Sequence, residues 1–152
     1  METYMCGPGV VQRYLNKVSG PLLDRIDLHV EVTPVTFDQM TETRPAETSR
    51  AVQERVAAAR QRQAARFQDF PDIHSNALMP SQMVKDICRI DEAGRTLLKT
   101  AMERLGLSAR AYDRILKVAR TIADLAAAEH IELPHLAEAI QYRSLDREGW
   151  AG

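Results

Sequence analysis

The sequence has few of the features that mark a membrane, secreted or disulfide-stabilised protein. Aromatic residues make up 5% of the 152-residue chain and only two cysteines are present, so we expect an aliphatic core without a disulfide framework. There is no signal-peptide pattern and no apolar run long enough to cross a bilayer. The net charge of −1 gives no overall field that would attract nucleic acid or a membrane. These absences predict a cytoplasmic chain with no membrane partner, built as one domain or as one domain with part of another.

Motifs for nucleotide binding and catalysis are also missing from the sequence. It contains neither a GxxxxGK[ST] phosphate loop nor a GxGxxG turn. The four histidines do not have metal-ligand spacing, and we expect His130 and His135, five residues apart across a predicted helix break, to be surface side chains. Cys6 has no Cys or His near it in sequence, so it is interpreted as a free thiol. We therefore predict no metal ligands and no nucleophilic catalysis.

Most of the chain instead shows helical periodicity. The longest predicted helix covers residues 109–130, and its apolar residues recur at i, i+3, i+4 and i+7. Another helix, over residues 49–67, carries a stripe of Val52, Val56, Ala59 and Gln63. The signals for helix ends are a Thr48 or Ser49 N-cap, Pro80 at a first helical position, an Asp91 N-cap, Gly106 after a helix, a Ser108 N-cap and Pro134.

Residues 27–32, "DLHVEV", are the only convincing strand. Leu28, Val30 and Val32 alternate with Asp27, His29 and Glu31, which predicts a strand with one solvent-exposed face that includes His29. A single strand cannot satisfy its backbone hydrogen bonds. The pattern therefore indicates that its sheet partners are missing from this chain.

Arginines are the remaining candidates for function. Arg110, Arg114 and Lys117 fall on one helical stripe, and spacing alone favours a solvated face, with Arg120 paired to Asp124. Arg110, however, lies in a first helical turn, where the macrodipole disfavours a cation, and this placement indicates an anion such as phosphate nearby. We interpret the five arginines of residues 49–67 as a solvated or inter-domain face rather than a DNA site.

Long segments of the sequence resemble one protein family. "SGPLLDRIDLHVEV", "RVAAARQRQAARF", "LSARAYDRILKVARTIADL" and "HLAEAIQYR" are similar to the C-terminal part of the ComM/YifB proteins. These are AAA+ ATPases, also called magnesium-chelatase-like or competence proteins. The resemblance implies a longer protein with a Lon-like domain and a P-loop core upstream. It implies a mainly α fold for this chain, a helical lid bundle preceded by the last helix and last strand of that core. The expected divisions are a core remnant (1–33), a linker (34–46), the lid (47–145) and a tail (146–152).

The resemblance also implies roles for individual arginines. Arg25 of "LLDRID" resembles the arginine finger that reaches the γ-phosphate bound by a neighbouring subunit, the alternative being a local ion pair with Asp24 or Asp27. "SAR", residues 108–110, resembles the sensor 2 motif, which makes Arg110 an ATP-phosphate contact. Arg114 is a weaker candidate for the same contact.

For the whole protein, the resemblance implies ATP and Mg²⁺ as cofactors, a homo-hexamer, and DNA branch migration in natural transformation and recombination. Without the P-loop, this chain by itself is expected to bind no cofactor and to be inactive. The alternatives are a magnesium-chelatase-type subunit acting in metal insertion and a stand-alone helical interaction domain. The family often has a C-x-C before the "RY" helix, but here Tyr4 stands where the partner of Cys6 would fall. This departure agrees with the prediction of no metal site.

Overall fold

Three of the helices in the described part of the chain begin directly after the N-cap residues that the sequence predicts, Thr48, Asp91 and Ser108. The computed structural model describes Leu22, residues 25–30, Val32, Pro34, Val35 and residues 46–143. Within these residues there are five α-helices and one short 3₁₀ helix. They are α1 (Ser49–Arg66), the 3₁₀ helix (Asn76–Leu78), α2 (Ser81–Ile87), α3 (Glu92–Leu105), α4 (Ala109–Leu125) and α5 (Leu133–Gln141). The predicted mainly α fold is confirmed.

Three N-cap predictions are confirmed by hydrogen bonds. Thr48 Oγ1 accepts from the Ala51 N–H at 3.2 Å, and Asp91 Oδ1 accepts from the Gly94 N–H at 2.7 Å. Ser108 Oγ accepts from the Ala111 N–H at 3.3 Å. Each bond satisfies a backbone donor that has no partner within its helix.

Three helix boundaries differ from the prediction. Pro134, predicted to start the last helix, is the second residue of α5, which begins at Leu133. Pro80 is the N-cap of α2, not its first helical residue. The helix predicted to be the longest, α4, ends at Leu125 rather than continuing to residue 130, and its 17 residues make it shorter than the 18-residue α1. Ala127 adopts a left-handed conformation with φ of 60°, and the Ala128 N–H bonds back to the Ala123 carbonyl at 2.9 Å. The Arg120 guanidinium donates to the carbonyls of Ala128 and Glu129, both at 2.8 Å. These two hydrogen bonds stabilise the turn that follows α4.

Helix α4 lies at the centre of the fold. It packs against α1, the 3₁₀ helix, α2 and α5, and α3 packs on α5. Its buried apolar residues include Ile115, Leu116, Ala119 and Ala123. The remaining buried hydrophobic residues of this core are Phe67, Met79, Val84, Cys88, Leu98, Ile131, Leu136 and Ala139. The core is mostly aliphatic, as the low aromatic content predicts.

The stripe predicted on α1 is buried only in part. Ala59 and Gln63 are buried, whereas Val52 and Val56 are each 37% exposed. The C-terminal half of α1 therefore provides its buried contacts.

The strand predicted over residues 27–32 is wrong for the residues of this segment that the structure describes, 27–30 and Val32, none of which lies in a strand. Their burial also opposes the predicted faces. His29 is only 5% exposed, while Val30 is 65% and Val32 88% exposed. A strand requires a neighbouring strand for its backbone hydrogen bonds. In the described part of the chain, the His29 N–H instead donates to the carbonyl of Tyr142, just after α5, at 2.8 Å.

Other predictions lie largely outside the described residues. These are the helix of the core remnant, which the apolar spacing of residues 9–18 predicts, most of the 34–46 linker, the tail from residue 146, and Tyr4 and Cys6. No helix in the part of the chain that the structure describes has the length and apolar character needed to cross a membrane.

Candidate functional site

The first turn of α4 presents Arg110 to solvent. The Ser108 cap starts the helix, and the half-buried Leu107 and Tyr112 pack against the core on either side of this start. Arg110 itself is exposed and forms no ion pair or hydrogen bond with any described residue. Its guanidinium is therefore available to an external anion next to the N–H groups of a helix N-terminus.

Arg114, one turn further along α4, is already occupied. Its guanidinium forms an ion pair in close contact with the Asp27 carboxylate. Lys117, the third cation of the predicted stripe, donates to the Ala77 carbonyl at 3.0 Å. The three cations share one face of the helix, but Arg110 is the one among them without a partner in the described residues.

Arg25 is exposed in a turn just before the segment that contacts the lid. Its backbone N–H bonds to the Leu22 carbonyl at 3.0 Å, and its side chain forms no ion pair with a described residue. The alternative interpretation, an ion pair with Asp27, is not seen because Asp27 contacts Arg114. Asp24 lies outside the described residues.

Residues 26–29 are attached to the helical bundle at three points. Asp27 pairs with Arg114, the Arg143 guanidinium donates to the Ile26 carbonyl in close contact, and the His29 N–H donates to the Tyr142 carbonyl. A groove of about 300 Å³ lies beside this attachment. Its lining includes Asp27, Leu28, Lys117, Val118, Ile122 and Tyr142.

A buried polar network surrounds Asp124, near the C-terminal end of α4. This carboxylate is fully buried and accepts from Arg66 Nη2 at 2.6 Å and Nη1 at 2.8 Å. Asn76 Nδ2 donates to it at 2.8 Å, and Arg120 Nη2 lies 3.1 Å away. The Arg120–Asp124 pair is confirmed as a contact, but it is buried rather than on a solvated face. Arg66 and Asn76 are far from Asp124 in sequence, so no spacing could have identified them.

The network fixes the charge state of its carboxyl group. Burial by itself would raise the pKa of Asp124, but hydrogen bonds from Arg66 and Asn76 and the positive charges of Arg66 and Arg120 outweigh it, and the pKa is lowered. Asp124 is therefore ionised at neutral pH and balances part of the charge of two arginines. This arrangement holds α1, the 3₁₀ helix and α4 together, and is a structural feature rather than a catalytic site.

The basic face predicted on α1 is largely neutralised within the chain. Arg50 pairs with Glu54 at 3.0 Å and Arg55 with Glu47 at 2.6 Å. Arg62 donates to the Asp124 carbonyl at 3.2 Å, and Arg66 belongs to the buried network. The other arginine, Arg60, is exposed and has no polar contact among the described residues. This distribution favours a solvated or packing face over a dense site for nucleic acid.

The histidines and the described cysteine do not form a ligand cluster. His130 is exposed as predicted, but the prediction that His135 is a surface side chain is wrong: it is 9% exposed. Its Nδ1 accepts from the Glu132 N–H at 3.1 Å, which caps the start of α5. Cys88 is buried. Within the described residues, no group of three or more His, Cys, Asp or Glu side chains is placed to hold a metal ion.

Comparison with known proteins identifies the family of this bundle. Residues 46–143 match the family model described as magnesium chelatase, subunit ChlI C-terminal, and residues 1–40 match the model described as magnesium chelatase, subunit ChlI. The chain is 41% identical over 143 residues to the uncharacterized protein YifB of Escherichia coli, covering 93% of this chain and 27% of that protein. It is 42% identical over 141 residues to the competence protein ComM of Haemophilus influenzae, covering 92% and 27% respectively. The chain thus spans about a quarter of the length of these relatives.

Proposed function

Because this chain belongs to the magnesium chelatase ChlI C-terminal family and forms its helical AAA+ lid, we propose that it carries nucleotide-responsive arginines of an ATP-driven motor. The observation that carries the proposal is the difference between Arg110 and Arg114. Arg110 is exposed at a capped helix start without a described partner, whereas Arg114 pairs with Asp27. We therefore assign the phosphate contact to Arg110. The nucleotide would be ATP with Mg²⁺, held mainly by a P-loop that this sequence does not contain.

Arg25 is proposed to act on the nucleotide of a neighbouring subunit. Its side chain is exposed and makes no ion pair with a described residue, so the guanidinium is available to a partner. Arginine suits this role because it stays charged and offers a planar set of donors to phosphate oxygens. A finger in trans requires a homo-oligomer, and a hexamer is the assembly that the family resemblance implies.

DNA branch migration in transformation and recombination is the proposed task of the motor. Its support is the similarity to a relative named a competence protein. With four of the five arginines of α1 occupied within the chain, DNA contacts are assigned to other parts of the whole protein. A cytoplasmic location is proposed with this task.

Substitution of the two arginines in the native protein that contains this chain tests the nucleotide roles. Arg25→Ala should retain ATP binding and lose about a thousandfold in hydrolysis rate. Arg110→Ala should weaken ATP binding or turnover. Arg60→Ala, which also removes an exposed arginine of the lid, is the matched control and should leave both unchanged. Hydrolysis near the wild-type rate in Arg25→Ala and Arg110→Ala would refute the assignments.

A second candidate task is magnesium insertion into a porphyrin, favoured by the description of the matching family models. The two tasks differ in what stimulates ATP hydrolysis. Branched or single-stranded DNA should stimulate the branch-migration motor, whereas porphyrin and partner chelatase subunits should have no effect on it. The reverse pattern would establish the chelatase role.

A further inference from the structure

Residues 26–29, which follow Arg25, are attached to the helical bundle by Asp27 and Arg143, two side chains to which the proposed function gives no role. Arg143 is fully buried although it is charged, and its guanidinium is used on the Ile26 carbonyl, 117 residues away in sequence. Asp27 is two residues after Arg25 and pairs with Arg114. Burial of an arginine is costly unless its donors are used, so this attachment is a built feature of the fold.

The same attachment links the two arginines proposed to contact nucleotide. Arg114 is one helical turn after Arg110 on α4, and its partner Asp27 is separated from Arg25 by one residue. Arg143 and Tyr142 directly follow α5, which packs on α4. The segment after Arg25 is therefore in direct contact with α4, through Arg114, and with the two residues that follow α5.

We propose that Asp27 and Arg143 are positioning residues that hold the Arg25 segment on the lid, so that nucleotide bound at Arg110 controls where Arg25 points. The inference rests on the proposed function, because the orientation of Arg25 affects hydrolysis only if Arg25 contacts the nucleotide. In this arrangement, one subunit's nucleotide sets the geometry of the arginine offered to the next subunit. Arg114 acts as the link between the two sites and does not contact phosphate.

The two side-chain attachments, those of Asp27 and Arg143, differ in the effect expected on their removal. The Asp27 and Arg114 side chains are 50% and 29% exposed, and solvent-exposed ion pairs contribute little. Loss of the Asp27 charge should therefore increase opening of the segment by up to about fivefold. Loss of the buried Arg143 guanidinium, a charged donor, should increase opening by about tenfold or more.

Hydrogen exchange of the His29 amide, measured by NMR in the 152-residue chain, reports this opening directly. Asp27→Asn and Arg143→Met should both accelerate exchange, the second more strongly, while Arg143→Lys keeps the charge and should have a smaller effect. Glu54→Gln removes a carboxylate from another ion pair, on α1, and should leave His29 unchanged. The charge exchange Asp27→Arg with Arg114→Asp should restore protection. Unchanged His29 exchange in Asp27→Asn would overturn the proposal even if Arg143→Met fails to fold.

Steady-state ATP hydrolysis by the native protein separates this proposal from the function on which it rests. Because loss of the Asp27 charge increases opening by at most about fivefold, Asp27→Asn should lower kcat by no more than about that factor while leaving KM for ATP unchanged. If Arg25→Ala hydrolyses ATP normally, the proposed function fails. If Arg25→Ala is inactive but Asp27→Asn has normal kcat despite faster His29 exchange, the finger assignment stands and the positioning proposal is wrong.

Discussion

Arg66 at the end of α1 and Asp124 at the end of α4 form a two-point ion pair across 58 residues of sequence, with N–O distances of 2.6 and 2.8 Å. Arg66 Nη1 also donates to Asn76 Oδ1 at 2.8 Å. The Asn76 N–H in turn donates to Gln63 Oε1 at 3.0 Å. Both ends of this ion pair are thus hydrogen-bonded to Asn76.

Replacement of Asp124 should be among the most damaging single changes to the bundle. Asp124→Asn leaves Arg66 and Arg120 without their counter-charge in a buried site, and breaking such a pair costs about 3–5 kcal/mol of the free energy of unfolding. Urea denaturation followed by circular dichroism measures the change. Glu54→Gln, which removes an exposed ion pair with Arg50, should cost less than about 1 kcal/mol. Equal effects of the two substitutions would contradict the importance of the buried pair.

The same carboxyl group should make the fold sensitive to acid. The pKa of Asp124 is lowered in the folded state, so its contribution is present above the ordinary aspartate pKa of about 3.9. Between the ordinary pKa and the lowered folded-state pKa, the unfolded state binds a proton at this carboxyl and the folded state does not. The contribution of Asp124 to the free energy of unfolding is therefore lost as the pH falls through the folded-state pKa. The free energy of unfolding, measured from pH 7 to pH 3, should fall below about pH 4. Asp124→Asn should show a shallower fall, and an identical pH profile would refute this cause.

The thiol of Cys88 should be unreactive while the protein is folded. Burial raises its pKa to about 11 from an ordinary value of 9.0, despite nearby positive charges that lower it. The two-unit difference reduces the thiolate fraction about a hundredfold at pH 8. Titration with a disulfide reagent in a Cys6→Ser background should therefore show slow labelling in buffer and fast labelling in denaturant. The thiol ionises at a lower pH in the unfolded state than in the folded state. Its contribution to the free energy of unfolding therefore declines as the pH rises above about 9. Rapid labelling of the folded chain would show that Cys88 is accessible.

Substitution of Gly106 should destabilise the protein because of the backbone conformation of this residue and not because of steric contacts. Its φ of 61° ends α3 in a left-handed conformation, and an added Cβ would meet no atom within 4 Å. Gly106→Ala should therefore lower the free energy of unfolding by about 1–2 kcal/mol through backbone strain. Thermal denaturation measures this change, and Gly106→Asn is the control that should be better tolerated. An alanine variant as stable as the wild type would disprove the strain.

Much of the helical framework was predictable because its signals are local. Thr48, Asp91 and Ser108 cap helices with their own side chains, and Gly106 ends one by its own conformational freedom. The end of α4 was not predictable, because the chain turns at Ala127, a residue with no preference for the left-handed region. The turn is secured by Arg120 bonds to carbonyls eight and nine residues later.

The sequence by itself determined the helices, the family and the short list of arginines, because caps, periodicity and motifs are properties of neighbouring residues. Only the tertiary structure decided which of these arginines have a partner among the described residues. The sequence already favoured Arg110, in the first turn of its helix, over Arg114, but it gave no partner for either; Asp27, 87 residues away in sequence, pairs with Arg114 and leaves Arg110 exposed. In the same way, Arg120 and Asp124 had the spacing of a surface pair, and the approach of Arg66 from another helix made them part of the core. Charges on one helix face therefore differ in their contacts, because folding brings a counter-charge to some of them and not to others.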